Sequence, residues 1–144
     1  MIRNATLEDV PQIVGLIEEL HDLSSMAPLD FSPIKAKHGL IAFISTDQFV
    51  RVIEEDRKCV GVFSGLVTPT WFGNDSLAID LSWYVQPKYR DWQGVALVEQ
   101  FIEWAKERGV KQIRPGVSTG NPAACKIYKA LGFSEAGAGF YLDV

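Results

Sequence analysis

The sequence predicts an α/β fold of the α+β kind, a mixed sheet with helices on its faces. Three observations carry that expectation. Segments with strand and helix periodicity follow one another in the order βααβββαβαβ. The length of 144 residues is that of one ordinary domain. A hydrophobic content of 47% against 22% charged residues suits a chain with a packed core. No repeat, linker or low-complexity tract interrupts the run, so residues 1–144 are read as a single domain with one site.

"MIRNA" is a short strand. Thr6 then stands as a helix cap with Asp9 three residues on, and Val10, Ile13, Val14, Ile17 and Leu20 mark one face of a helix over about residues 7–23. "SSMAPLDF" is a loop. Ser32 followed by Pro33 repeats the start signal for a second helix reaching about Ile44. "QFVRVIEE" and "KCVGVFSGLVT" are β-branched and joined by the charged turn "EDRK", which predicts a hairpin with Glu54 and Glu55 solvated. "SLAIDLSWYV" is the next strand. Its alternation puts Leu77, Ile79, Leu81, Trp83 and Val85 on one face and Ala78, Asp80, Ser82 and Tyr84 on the other. From Gly94 to Arg108 a helical period returns, with Leu97, Val98, Phe101, Ile102 and Ala105 inward and Gly109 as the stop. "VKQIRPGVS" is a strand, "NPAACKIYKAL" a helix capped by Asn121 and closed by Gly132, and "GFYLDV" a final strand.

Composition narrows the function. A formal charge of −4 argues against a general nucleic-acid binder, which needs a broad basic face. Lys88 with Arg90, and Lys126 with Lys129, still form two small basic patches that suit a phosphorylated ligand. No segment has the apolar run of a membrane helix, and "MIRNATLEDV" lacks the apolar core of a signal peptide, so a cytoplasmic protein without a membrane partner is expected. Cys59 and Cys125 lack any CxxC or histidine pairing; buried thiols are expected for both, and no metal site.

The chemistry concentrates in two places. In "RDWQGVA" a polar elbow leads from a strand into a helix, where unpaired amides and the helix dipole favour an anion. The amides offered are those of Gln93, Gly94, Val95 and Ala96, and Arg90 can add a bidentate contact. A plain strand-to-helix turn fits the same residues. GxxxxGK[ST] and GxGxxG are both absent. Downstream, Asn121, Ala124, Ile127, Tyr128 and Leu131 form a capped helix whose apolar stripe carries one phenol, which a tyrosine at the core's edge would equally explain.

Together these residues resemble the GNAT superfamily of N-acetyltransferases. The family's late motif N-x-x-A-x-x-x-Y-x-x-x-G-F is met by Asn121, Ala124, Tyr128, Gly132 and Phe133. Its cofactor loop V-x-P-x-[YF]-R-G-x-G-x-[GA] is met by Val85, Pro87, Tyr89, Arg90, Gly94 and Ala96, with one extra residue giving RxxxGxA. The resemblance implies a mostly antiparallel sheet in which the strand ending at Val85 splays from a central parallel neighbour. It implies acetyl-CoA as cosubstrate, with the pantetheine arm against the backbone of Trp83, Tyr84 and Val85 and the pyrophosphate on Arg90, Gln93, Gly94, Val95 and Ala96. Asn121 would hold cofactor or water.

Direct transfer to a primary amine of a small molecule or peptide would follow, without an acyl-enzyme. An alkylammonium with a pKa near about 10 needs a base and the departing thiolate an acid. Tyr128 is the expected acid and Asp80 the expected base. His21 is read as structural, His38 as a possible lining of the acceptor pocket, and residues 20–45 as the acceptor wall, suited to a small cationic amine with an apolar portion. Nothing near Cys125 would make it a nucleophile. A non-catalytic acyl-CoA-binding module of the same fold is the alternative, and a different phosphorylated ligand would leave Asn121 and Tyr128 without a purpose. The edge beside a short C-terminal strand suggests a homodimer.

Overall fold

The computed structural model describes residues 1–117 and 121–144. The elements are β1 (Ile2–Asn4), α1 (Val10–Leu23), α2 (Pro33–Ser45), β2 (Phe49–Glu55), β3 (Lys58–Pro69), β4 (Ser76–Val85), α3 (Trp92–Glu107), β5 (Gln112–Arg114) and α4 (Pro122–Ala130), with single 3₁₀ turns at Leu7–Asp9 and Pro87–Tyr89. The strands lie in the order β1-β2-β3-β4-β5, every pair antiparallel except β4 with β5. This is the mixed sheet expected, with its parallel pair.

Both faces are covered, each by its own apolar cluster. On one side Val10, Ile13, Val14 and Leu16 of α1 and Leu40 of α2 pack on Val50, Val52, Val62 and Tyr84. On the other, Leu97, Val98, Phe101 and Ala105 of α3 and Tyr128 of α4 pack on Phe49, Phe63, Ala78 and Val85. The rings of Phe63 and Phe101 lie 4.7 Å apart at the centre of that side. Each such side chain removed from water stabilises the fold by about 1.5–3 kcal/mol.

Side-chain chemistry fixes the corners. Arg3 reaches from β1 to both Asp9 oxygens at 2.7 and 2.8 Å and to Glu54 at 3.1 Å, so Glu54 is ion-paired rather than free in the hairpin turn. This guanidinium, with the Thr6 amide, holds the Asp9 carboxyl down at about 2 despite its burial. Asp56 and Arg57 both take positive φ, 49° and 65°, which makes the β2–β3 turn a tight two-residue reversal.

Five sequence expectations need correction. The first helix begins as a 3₁₀ turn, and its α-helical part starts only at Val10, because the Asp9 carboxylate accepts the Thr6 amide at 2.7 Å and closes a short turn first. The strand expected over 110–118 is paired only over Gln112–Arg114, and Ser118 lies outside the described residues. "GFYLDV" forms no strand: alternation makes a segment compatible with a ladder, but β5 is three residues long and residues 134–144 all lie exposed. Cys59 is buried, which pushes its thiol up to about 11, whereas Cys125 is exposed on α4.

The fifth correction concerns β4. Along β3 and β4, Ser64 faces Ser82 but Gly65 faces Asp80, so Leu81 is an extra, unpaired residue. A one-residue bulge reverses the faces that follow it. Ala78 before the bulge and Trp83 and Val85 after it therefore pack on the same side, toward α3 and α4. By alternation from Ala78, Asp80 lies on that side too, not with Tyr84. Gly65 permits the bulge: a Cβ there would lie 2.5 Å from the Phe101 ring and 2.8 Å from the Ile79 carbonyl oxygen.

Candidate active site

The parallel pairing of β4 with β5 runs from Leu77 opposite Gln112 to Ile79 opposite Arg114 and stops there. Beyond it, β4 continues to Val85, bonded only to β3 on its other side. The result is a stretch of open strand edge from Asp80 to Val85, made by the bulge that bends β4 away. A cleft of about 500 Å³ lies along it. Trp83, Tyr84 and Val85 line one wall, Arg90, Asp91, Gly94 and Val95 the elbow end, and Asn121, Ala124 and Ile127 of α4 the far side. Leu20, Leu23 and Ser24 at the end of α1 close it.

Each expected residue can now be located. Asn121 caps α4, its side chain accepting the Ala124 amide at 3.2 Å. Tyr128 is 5% exposed, with its ring edge-on to Trp83 at 5.4 Å and to Phe133 at 5.3 Å. Among the described residues its hydroxyl has no hydrogen-bond partner. Burial, with Asp80's charge added, pushes the Tyr128 pKa well above the ordinary phenol range. Asp80 Oδ1 accepts the Gly116 amide at 2.9 Å, which favours its ionised form, but burial outweighs this and raises its pKa. An acid kept neutral and a carboxylate made more basic thus sit close enough for one to perturb the other.

The elbow differs from expectation. α3 begins at Trp92, two residues before Gly94. The Ala96 amide therefore falls beyond the first turn, where the helical pattern pairs it with the Trp92 carbonyl, and Val95 pairs in the same way with Asp91. Ala96 lines a separate groove with Arg51, Gln100 and Trp104. Gln93 is buried, and its side chain donates to Glu55 at 3.0 Å. Arg90 lies across the cleft mouth, its Nε donating to the Val85 carbonyl at 2.8 Å. Asp91 caps α3, accepting the Gln93 amide at 2.8 Å. An aspartate directly before a helix is an ordinary start signal, so this cap was available in the sequence.

The remaining polar residues are at the margins. Gln86 bonds Glu19 at 3.1 Å beneath Tyr84, whose pKa is raised by burial and by the Glu19 carboxylate. His21 is tied to the Leu29 carbonyl at 2.8 Å and tilts against Phe31, a structural role that keeps the α1–α2 loop in place. His38 is exposed on α2 and does not line the cleft. Lys129 is paired with Glu135 at 2.8 Å. Among the described residues no group of histidine, cysteine and carboxylate side chains is arranged to hold a metal, and no helix is long and apolar enough to cross a membrane.

An open strand edge, a helix start beside Arg90 and a buried hydroxyl without a partner among the described residues are the features an acyl-pantetheine ligand would use. Comparison with known proteins agrees. Residues 17–133 match the acetyltransferase (GNAT) family. Thialysine Nε-acetyltransferase from Bos taurus is 31% identical over 151 aligned positions, which span 94% of this chain and 84% of that protein. A predicted acetyltransferase from Clostridium acetobutylicum, solved with acetyl-CoA, has the same fold: TM-score 0.81 at 15% identity, over 99% of this chain and 95% of that one. So does an aminoglycoside acetyltransferase from an uncultured soil metagenomic sample, solved with sisomicin: TM-score 0.73 at 17% identity, over 100% and 95%.

Proposed function

Since the chain belongs to the acetyltransferase (GNAT) family and is an acetyl-CoA-dependent acyltransferase, we propose that it acetylates a primary amine of a small molecule or peptide directly, with both substrates bound together. Residues 1–144 act as one domain in this reading. The observation that carries it is the Tyr128 hydroxyl, buried without a partner beside Asp80 at the open edge of β4. A buried donor left unpaired costs about 1–3 kcal/mol, and a ligand atom placed to accept from it would relieve that cost.

The cosubstrate supplies an activated acetyl thioester, and its sulfur leaves as a thiol. The backbone of Trp83, Tyr84 and Val85 would hold the peptide-like arm as an added strand, because β5 leaves that edge unpaired. Arg90 and the first turn of α3 would hold the phosphates, although the Gln93 amide is bonded to the Asp91 carboxylate at 2.8 Å and the Gly94 amide to the Asp91 carbonyl at 3.3 Å. Asn121 orients the α4 side of the cleft. Asp80 takes a proton from the acceptor ammonium, directly or through water, and its raised pKa makes it a better base for that task. Tyr128 stays protonated and donates at the departing sulfur. A second proton leaves the nitrogen as the adduct collapses to the amide, so of the two protons the ammonium gives up one reaches the departing thiol by way of Asp80 and Tyr128 and the other is released to solvent.

The acceptor is proposed as a small cationic amine with an apolar portion. The bovine relative is named for the Nε of thialysine, and the cleft here combines Leu20 and Leu23 with the nearby Glu19 and Asp80 carboxylates. A homodimer through the unpaired side of β5 is the proposed assembly, to be read by light scattering. The test of function is amine-dependent thiol release across an amine panel. Binding of acetyl-CoA with no turnover on any amine would replace this reading with a non-catalytic acyl-CoA-binding module.

A further inference from the structure

The elbow at α3 carries one carboxylate too many for an unopposed phosphate site. Asp91 Oδ1 accepts the Gln93 amide at 2.8 Å, the bond a ligand phosphate would make to the second residue of the helix. Asp91 lines the same cleft as Arg90, Gly94 and Val95. Behind it, Glu55 Oε1 accepts from the Gln93 side chain at 3.0 Å, but its charge is paired with the N-terminal ammonium at 3.4 Å, which leaves Asp91 as the opposing charge at the turn. The Arg90 guanidinium keeps its charge, but its Nε is fixed on the Val85 carbonyl at 2.8 Å, which restrains how the group can turn toward Asp91 or a phosphate. Lys88, the next cation, rests over the Tyr89 ring at 5.5 Å. The extra residue in RxxxGxA is what allows this: the helix starts at Trp92, and an acid takes the capping place ahead of the glycine.

Resting on the reading that acetyl-CoA's pyrophosphate meets this helix end, we propose that Asp91 is a specificity-determining residue that opposes the cosubstrate's phosphates. Its carboxylate occupies an amide that a phosphate would take and repels the charge that would displace it. Asp91 therefore sets the affinity for phosphate-bearing acyl donors while leaving the pantetheine arm unaffected. The phosphates contribute less to binding here than an uncapped helix end would allow, and the arm along β4 contributes relatively more.

The test uses Asp91→Ser, which keeps a capping oxygen and removes the charge. Dissociation constants for CoA and for pantetheine, which lacks the phosphates, are measured by calorimetry on the unaltered chain and the variant. The expected result is CoA binding tightened about tenfold, near 1.4 kcal/mol, with pantetheine binding unchanged. CoA binding that is unchanged or weaker overturns the proposal, and so does equal tightening of both ligands, which would mark a general loosening of the cleft. Asp91→Asn, of the same shape, is measured alongside and must tighten CoA selectively as well, so a folding defect in the serine variant cannot rescue the idea. Failure of the unaltered protein to bind CoA at all would overturn the donor-site reading on which the proposal rests, and is distinguished by needing no variant.

Discussion

Replacing Tyr128 by phenylalanine should make the free protein more stable and the enzyme much slower. The residue is 5% exposed and its hydroxyl has no partner, so the fold carries the cost of dehydrating one O–H group, about 1–3 kcal/mol. Phenylalanine keeps the ring contacts with Trp83 at 5.4 Å and Phe133 at 5.3 Å and loses only that group. A net gain of about 1–2 kcal/mol corresponds to a rise in melting temperature of about 3–7 °C for a chain of this size. In the same variant the donor at the departing sulfur is gone, and kcat should fall by about 10²–10⁴ with the dissociation constant of acetyl-CoA changed little. The assay pairs calorimetric melting of the ligand-free protein with initial-rate thiol release. A variant that melts lower than the parent, or one that keeps its turnover, would refute the assignment of that hydroxyl as a group held in reserve for catalysis.

Other expectations follow from the same geometry. Asp80→Asn should lower kcat/KM about 100-fold and remove the acidic limb of its pH profile, a limb that in the parent is shifted upward because burial raises the Asp80 pKa. The same raised pKa means that Asp80 favours folding when protonated and loses that contribution as pH rises through its folded pKa, so Asp80→Asn should also melt higher at neutral pH. Gly65→Ala should destabilise the fold by about 3 kcal/mol in urea titrations, since its methyl group would lie 2.5 Å from the Phe101 ring and 2.8 Å from a backbone oxygen that cannot step aside. Asp9, held at about 2 by Arg3, contributes stability that is complete above the unfolded value near 3.8 and is lost as pH falls through about 2. Acid titration of Arg3→Met should lack that loss.

How much of this was legible in the sequence depended on whether the signal was local. β4 runs from Ser76 to Val85 as its alternation predicts, and Asn121 with Pro122 begins α4 where cap and proline announce it. Both rest on short-range chemistry. The bulge at Leu81 is different: two-residue alternation continues through it without a mark, and only pairing with β3 reveals that Gly65 faces Asp80 and Ser64 faces Ser82. That is why Asp80 was placed beside Tyr84 yet lies on the Tyr128 side. Asp91 stood in plain view as a cap, but a phosphate loop and a capped helix share the same residues, and the structure had to show which oxygen held the Gln93 amide. "GFYLDV" had a strand's pattern, while a ladder needs a partner that three-residue β5 does not offer it.

The most direct test of the central claim is a steady-state measurement of thiol release with acetyl-CoA and a cationic primary amine varied together. The account predicts release that requires both substrates, double-reciprocal lines that intersect, and loss of the rate in Tyr128→Phe without loss of acetyl-CoA binding. Parallel lines, or thiol release indifferent to the amine, would contradict it.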